Sequence, residues 1–290
     1  MFYELPPTIR QQCREILDAE ILSSKFIGGG DISQACLLET TRGKFFLKMN
    51  TGIAAGRMFA TEAKGLQMLA KSGALRVPEV IGLGQNAGHA FLLLEYLEPG
   101  YRPPGFWEEF GAALAALHRS SAPRFGLDYD NFIGSLPQSN DRHDNWPAFF
   151  TSERLQPQLE LALHGHQLTS ADAGNFECLY KKLPEICPAE PPALIHGDLW
   201  SGNFMCSSDG RPVLVDPAVS YSHREMDLAM SRLFGGFDRQ FYRSYEEAWP
   251  VAPGFGQRLP VYQLYYLLVH VNLFGGGYAG SVRSILQQFV

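Results

Sequence analysis

The sequence has little of what would mark a disulfide-stapled, metal-bound, membrane or nucleic-acid-binding protein. Its five cysteines, Cys13, Cys36, Cys178, Cys187 and Cys206, are odd in number, widely scattered and never spaced C-x-x-C. That pattern points to reduced, mostly buried thiols and away from a disulfide framework or a zinc module. His164 and His166 lie close together without a matching partner pair, as at a solvated helix end. No Lys/Arg-rich block appears, and 24 basic against 30 acidic residues give a net charge of −6, so no nucleic-acid partner is expected. The start, Met1 to Pro7, lacks the charged-then-apolar layout of a signal peptide. The most apolar long stretch, 261–274, carries Gln263, His270 and Asn272, and is too short and polar to span a bilayer. No membrane partner and a cytoplasmic location are expected.

What is present is an ordinary globular composition, 46% hydrophobic and 19% charged over 290 residues, enough for two cores. Residues 8–20 carry apolar positions at helical spacing, with Thr8 as a cap. Residues 22–49 read as β-structure with a turn at Arg42-Gly43. A helix is predicted over 57–71, with Met58, Leu66 and Leu69 inward. Strands 79–84 and 90–96 follow, joined through Gln85-Asn86-Ala87-Gly88. After Tyr96 the texture changes. Leu97-Glu98-Pro99-Gly100 and Pro103-Pro104 read as a linker, and helical periodicity dominates beyond it: 105–119, 146–165, 169–182, 224–235, 238–249, 257–274 and 281–289. A short β-patch, 193–195, 203–206 and 212–215, interrupts it. The expected fold is α+β and bilobal. Residues 1–97 form a small, mostly antiparallel nucleotide-binding lobe, and 98–290 form a larger helical, catalytic and substrate-binding lobe.

The densest chemistry lies in His196-Gly197-Asp198-Leu199-Trp200-Ser201-Gly202-Asn203. Asp198 follows an apolar strand-like run and should open a loop. A carboxylate there can accept the proton of a hydroxyl and aim its oxygen at the γ-phosphorus of ATP. Asn203 offers a carbonyl oxygen, and Asp216, after Val213-Leu214-Val215, a charged one. Mg²⁺ keeps several waters and needs few such protein ligands. Taken singly, these could be turn residues and a strand-end cap; the set of three is what points to phosphoryl transfer. Lys48 lies in the alternating strand 44–49, on the face opposite Phe45, Leu47 and Met49. Alone it would read as an exposed strand lysine; with Glu62 in the following helix it fits the ion pair that holds ATP phosphates. Gly28-Gly29-Gly30-Asp31-Ile32-Ser33 sits between strands, where glycine N–H groups and Ser33 can reach phosphate and Asp31 should turn away. The Glu95 carbonyl and the Leu97 N–H, at the lobe junction, could pair with an adenine edge. Trp200 can pack on a sugar face or be an ordinary core aromatic. His270, on an apolar helix, can be a ligand or a satisfied core histidine.

The whole chain resembles the fructosamine kinase (ketosamine-3-kinase) family, relatives of the aminoglycoside and choline phosphotransferases in the protein-kinase-like superfamily. The resemblance is carried by the glycine run with Asp31-Ile32-Ser33, by Phe45-Phe46-Leu47-Lys48 with Glu62-Ala63-Lys64-Gly65-Leu66, and by Phe125-Gly126 through Asn131-Phe132-Ile133-Gly134. It continues with Gln138-Ser139-Asn140, Trp146, the loop 196–203, Asp216-Pro217-Ala218, Tyr221 to Met226, and Tyr262 through Phe274. It implies ATP- and Mg²⁺-dependent phosphorylation of the 3-hydroxyl of a ketosamine, free or on a protein lysine, after which the adduct falls apart. By position it implies Asp198 as base, Asn203 and Asp216 as magnesium ligands, Lys48 and Glu62 as phosphate clamp, and Trp200 and His270 on the substrate side. Some family members carry a cysteine in the glycine loop that links two subunits. Here the nearest is Cys36 in the next strand, so a monomer or weak homodimer is expected. Asp216-Pro217-Ala218 replaces the Asp-Phe-Gly of protein kinases, and no long activation loop has room before the next helix. The residues also admit a phosphotransferase acting on an aminoglycoside or choline, and a catalytically dead nucleotide-binding module. The retained Lys48, Asp198 and Asp216 argue against the last.

Overall fold

The computed structural model describes residues 4–29, 33–86 and 88–289. Gly30, Asp31, Ile32, Ala87 and the chain start lie outside the described residues. The expectations placed on Gly30 as a phosphate contact and on the orientation of Asp31 therefore lie outside them too.

The elements run α1 (Pro7–Leu17), β1 (Ile21–Gly29), β2 (Gln34–Thr40), β3 (Gly43–Thr51), α2 (Ala55–Ser72), β4 (Val80–Asn86), β5 (His89–Glu95) and α3 (Phe106–His118). They continue with β6 (Asn131–Ile133), β7 (Leu136–Gln138), α4 (Trp146–Phe149), a π-turn (Phe150–Leu155), α5 (Gln156–His164), α6 (Ser170–Ile186) and β8 (Ala193–Ile195). Last come β9 (Phe204–Cys206), β10 (Pro212–Leu214), β11 (Ser220–Ser222), α7 (Glu225–Leu233), α8 (Arg239–Ala248), α9 (Phe255–Phe274), a short 3₁₀ turn and α10 (Ala279–Leu286). The fold is α+β, as expected. The chain divides into two compact units, Met1–Pro103 with Met205–Pro217, and Pro104–Phe204 with Ala218–Val290.

The first unit is built on an antiparallel sheet in the order β1-β2-β3-β5-β4. Alternation along β2 and β3 sends Cys36, Leu38, Leu47 and Met49 into a core that α1 closes with Ile9, Cys13 and Leu17. Lys48, between Leu47 and Met49, is thereby turned to the other face, where α2 runs. Residues 205–217 close on this unit through main-chain bonds: Gly100 N to Cys206 O (2.8 Å), Ser208 N to Glu98 O (2.8 Å) and Leu214 N to Arg76 O (2.9 Å).

The second unit is helical around α9, which buries Val261, Leu264, Leu268 and Val271 with Phe149, Phe150, Phe176 and Leu179. Its β-structure is minimal. β8 and β11 pair antiparallel, with Ile195 opposite Ser220 and Ala193 opposite Ser222.

Four local expectations are corrected. Pro6 precedes α1 in extended geometry without a side-chain cap, and Thr8 lies inside the first turn. Phe59, not Met58, is the fully buried residue of that turn of α2. The helix predicted over 146–165 is interrupted by the π-turn, which places Glu153 and Arg154 inward. Asp216 lies two residues past the end of β10, in the left-handed region (φ +54°).

Candidate active site

In the first unit the Lys48 ammonium touches three carboxylate oxygens: Glu62 Oε1 at 2.8 Å, Glu62 Oε2 at 3.0 Å and Asp216 Oδ1 at 2.9 Å. β3 presents the lysine and α2 the glutamate. Burial works against the charge on Lys48, but Asp216 and Glu62 outweigh it and hold the ammonium above the usual lysine range. Asp216 is a non-glycine residue at positive φ immediately before Pro217, a combination that costs about 1–3 kcal/mol of backbone strain. Its carboxylate stays about half open, 47% exposed, while Lys48 and Glu62 are closed in.

The other residues expected on the nucleotide side are placed as follows. Gly28 and Gly29 are rungs of the β1–β2 ladder, opposite Ala35 and Gln34, and half-buried Ser33 follows the gap. The Glu95 carboxylate accepts from Arg76 Nη2 (2.8 Å) and from the Glu79 N–H (3.2 Å), so that side chain is committed to the fold. Leu97 is buried where the chain has left β5.

In the second unit the loop after β8 carries Asp198 and Asn203. Gly197 has φ +86°, and a Cβ there would lie 2.0 Å from the Ala218 carbonyl oxygen, so only glycine lets the loop turn this close to the returning chain. The Asn203 amide donates to both Asp198 O (2.9 Å) and Asp198 Oδ2 (3.0 Å). That bond orients the carboxylate and turns the Asn203 carbonyl oxygen away from it. Trp200 N donates to Asp198 O (3.1 Å), and the exposed indole lies over Gly202. On α9, His270 Nδ1 bonds the Tyr266 carbonyl (2.7 Å), and the imidazole packs among Phe234, Phe274 and Tyr278.

Sequence reasoning passed over what holds this loop. Asp227, fully buried on α7, accepts from the N–H groups of both His196 (2.7 Å) and Gly197 (2.8 Å). Its Oδ2 also meets His118 Nε2 (3.2 Å), whose Nδ1 reaches Tyr245 Oη (2.8 Å). Burial works to raise the Asp227 pKa, but the hydrogen bond and charge of His118, then His196 and the Gly197 amide, bring it below the usual carboxylate range. The available signal was an acid inside the apolar run Met226, Leu228, Ala229, Met230. The Asn131–Gln138–Asn140 stretch also has a physical account. Asn131 Nδ2 donates to Val219 O (2.9 Å), Gln138 Nε2 to Ala218 O (3.3 Å), and Asn140 Nδ2 to Asn131 Oδ1 (2.8 Å). Arg154, from the π-turn, donates to Asn140 Oδ1 (2.7 Å) and Ser139 O (2.6 Å) and stacks on Phe149.

Each unit offers one oxygen of the hard kind that Mg²⁺ takes. Asp216 supplies a half-open charged oxygen. Asn203, buried, has its amide nitrogen committed to Asp198, which leaves its carbonyl oxygen as the group a metal could take. Among the described residues no cluster of three His, Cys, Asp or Glu could hold a metal by itself.

The profile of the fructosamine kinase family matches residues 6–290. A protein of Enterococcus faecium (strain ATCC BAA-472 / TX0016 / DO), named a probable ketoamine kinase, is 41% identical over 265 residues, 90% of this chain and 93% of its own. The crystal structure of a fructosamine-3-kinase candidate from Thermobifida fusca YX-ER1 superposes with a TM-score of 0.88 at 33% identity, covering 97% of each chain. The aminoglycoside phosphotransferase APH(4)-Ia shares the protein-kinase-like fold, with a TM-score of 0.65 at 18% identity over 98% of this chain and 99% of its own. The chain belongs to the fructosamine kinase family.

Proposed function

We propose that this protein transfers the γ-phosphoryl group of ATP to the 3-hydroxyl of a ketosamine. The observation that carries the reading is Lys48, a buried ammonium bound at once to Glu62 and to Asp216, 168 positions away in sequence. Lys48 holds α- and β-phosphate oxygens, and Glu62 keeps its ammonium aimed. Asp198 accepts the hydroxyl proton as the substrate oxygen bonds to the γ-phosphorus and the bond to the β-phosphate oxygen breaks, leaving ADP. Asn203 holds the Asp198 carboxylate in one orientation throughout. Asn203 and Asp216 would hold Mg²⁺, which supplies neutralisation of phosphate charge. Residues 1–97 bind the nucleotide, with Gly28, Gly29, Gly30 and Ser33 beside the phosphates and the Glu95 and Leu97 backbone beside adenine. Trp200 and His270 lie on the acceptor side.

Family membership and the name of the Enterococcus relative favour a sugar–amine adduct over choline or an aminoglycoside. Among the described residues no helix is long and apolar enough to cross a membrane. The test is incubation with ATP, Mg²⁺ and glycated amines of differing sugar length, alongside aminoglycosides and choline. A 3-phosphate detected by NMR is expected on a ketosamine. Transfer only to another acceptor, or nucleotide binding without turnover, overturns the reading.

A further inference from the structure

Among the described residues, four large hydrophobic side chains of the second unit are exposed: Leu161, Trp200, Phe234 and Phe274. Single exposed hydrophobics need no explanation, but these aromatics are not scattered. Phe234 and Phe274 pack against the imidazole of His270, with ring centroids at 4.7 and 5.4 Å, and Tyr278 joins at 5.1 Å. The surface is continuous with the catalytic loop. Gly236, two residues past Phe234, lies so close to Ser201 that a Cβ on it would be 2.4 Å from the serine Cβ. Trp200 precedes that serine.

The chemistry of this surface is specific. His270 Nδ1 donates its proton to the Tyr266 carbonyl at 2.7 Å, so a neutral ring presents Nε2 as a lone-pair acceptor. Burial holds the ring below the usual histidine range, which keeps it neutral near pH 7. Around the imidazole stand three aromatic rings, tilted to it at 44–59°, and aromatic rings attract cations to their faces. Residues 257–290 contain no Asp or Glu, so a cation here would be recognised by aromatic faces and an acceptor and not by a carboxylate from α9 or the tail.

We propose that Phe234, His270, Phe274 and Tyr278 form a subsite for the secondary ammonium of the acceptor, the aromatic faces taking its charge and His270 Nε2 accepting its N–H. A ketosamine carries such a group next to the sugar carbon chain. A quaternary ammonium such as choline has no N–H for Nε2, and a neutral sugar has no charge for the rings. The proposal deepens the ketosamine reading and rests on it.

The test compares binding of a ketosamine with that of its ether isostere, in which oxygen replaces the amine nitrogen. Calorimetry is run on the full-length protein with a non-hydrolysable ATP analogue and Mg²⁺. The wild type is expected to bind the ketosamine at least about tenfold tighter than the ether. Phe274→Ala and Phe234→Ala, both at exposed positions that the fold tolerates, should weaken ketosamine binding about 3- to 30-fold and leave the ether within about twofold. Phe274→Tyr should restore it. Equal wild-type affinities for the two ligands, or variants that weaken both alike, would overturn the subsite. Phosphorylation of the ketosamine by the same wild-type sample is scored separately. Discrimination lost with turnover intact sinks only the subsite, whereas discrimination without turnover sinks the kinase reading.

Discussion

The two units hold their chemical groups by opposite means. In the first, Lys48 is fixed through its side chain, by charged hydrogen bonds to Glu62 and a half-open Asp216. In the second, the Asp198 loop is fixed through its backbone, by the amides of His196 and Gly197 on the buried carboxylate of Asp227. On the proposed reading Lys48 grips polyphosphate and has to exchange partners when the ligand arrives, and side-chain ion pairs allow that. On the same reading Asp198 is a base that must not move, and main-chain hydrogen bonds from its loop to a buried anion hold it.

Four substitutions would break or sharpen this contrast. Asp198→Asn should lower kcat by about two to four orders of magnitude, the share of a general base, with folding intact by circular dichroism. Near-normal turnover would remove Asp198 from that role. Asp227→Ala strands two buried amides and should destabilise the protein by about 3–5 kcal/mol in urea unfolding. A loss below about 1 kcal/mol would mean the loop is not held from α7.

His223 gives a pH signature. It is fully buried, its Nε2 has no hydrogen-bond partner, and burial lowers its pKa to about 4. The unfolded chain takes up this proton near pH 6.5 and the folded one does not. Stability is therefore full above pH 6.5 and falls as pH drops toward 4, by about 3 kcal/mol. His223→Asn should flatten that part of the unfolding profile, and an unchanged slope would contradict the assignment. The smallest effect is expected for Glu62→Gln. Lys48 keeps Asp216, so the KM for ATP should rise about tenfold, equivalent to about 1.4 kcal/mol, with little change in melting temperature. A large stability loss would show that the clamp is structural after all.

Legibility in the sequence followed the range of the interactions. Lys48 and its face could be read because alternation along 44–49 is local, and α2 and α9 because their apolar periods repeat. The strand pair β8–β11 was only half visible, since Ser220-Tyr221-Ser222 is too short to show alternation. Asp227 was missed because its partners are amides about 30 residues away, and no residue type advertises an amide. Arg154 was missed for a related reason. A basic residue in a helical stretch reads as solvated until the π-turn rotates it inward onto Phe149 and Asn140. The Phe234–Tyr278 cluster joins the end of α7 to the tail, which periodicity within either element could not foretell.

The excursion of residues 205–217 has a consequence for dissecting the protein. Thirteen residues leave one compact unit, complete the other and return, so the chain passes between units three times. A fragment stopping at Pro103 would lack the partners of Gly100, Glu98 and Arg76 and the aspartate that faces Lys48. A fragment starting at Pro104 would carry the β9–β10 pair without the Arg76, Glu98 and Gly100 main-chain groups that it bonds. Neither half can be expressed as a faithful domain without rewiring the polypeptide. Insertions or deletions within this short detour should accordingly be felt in both halves at once.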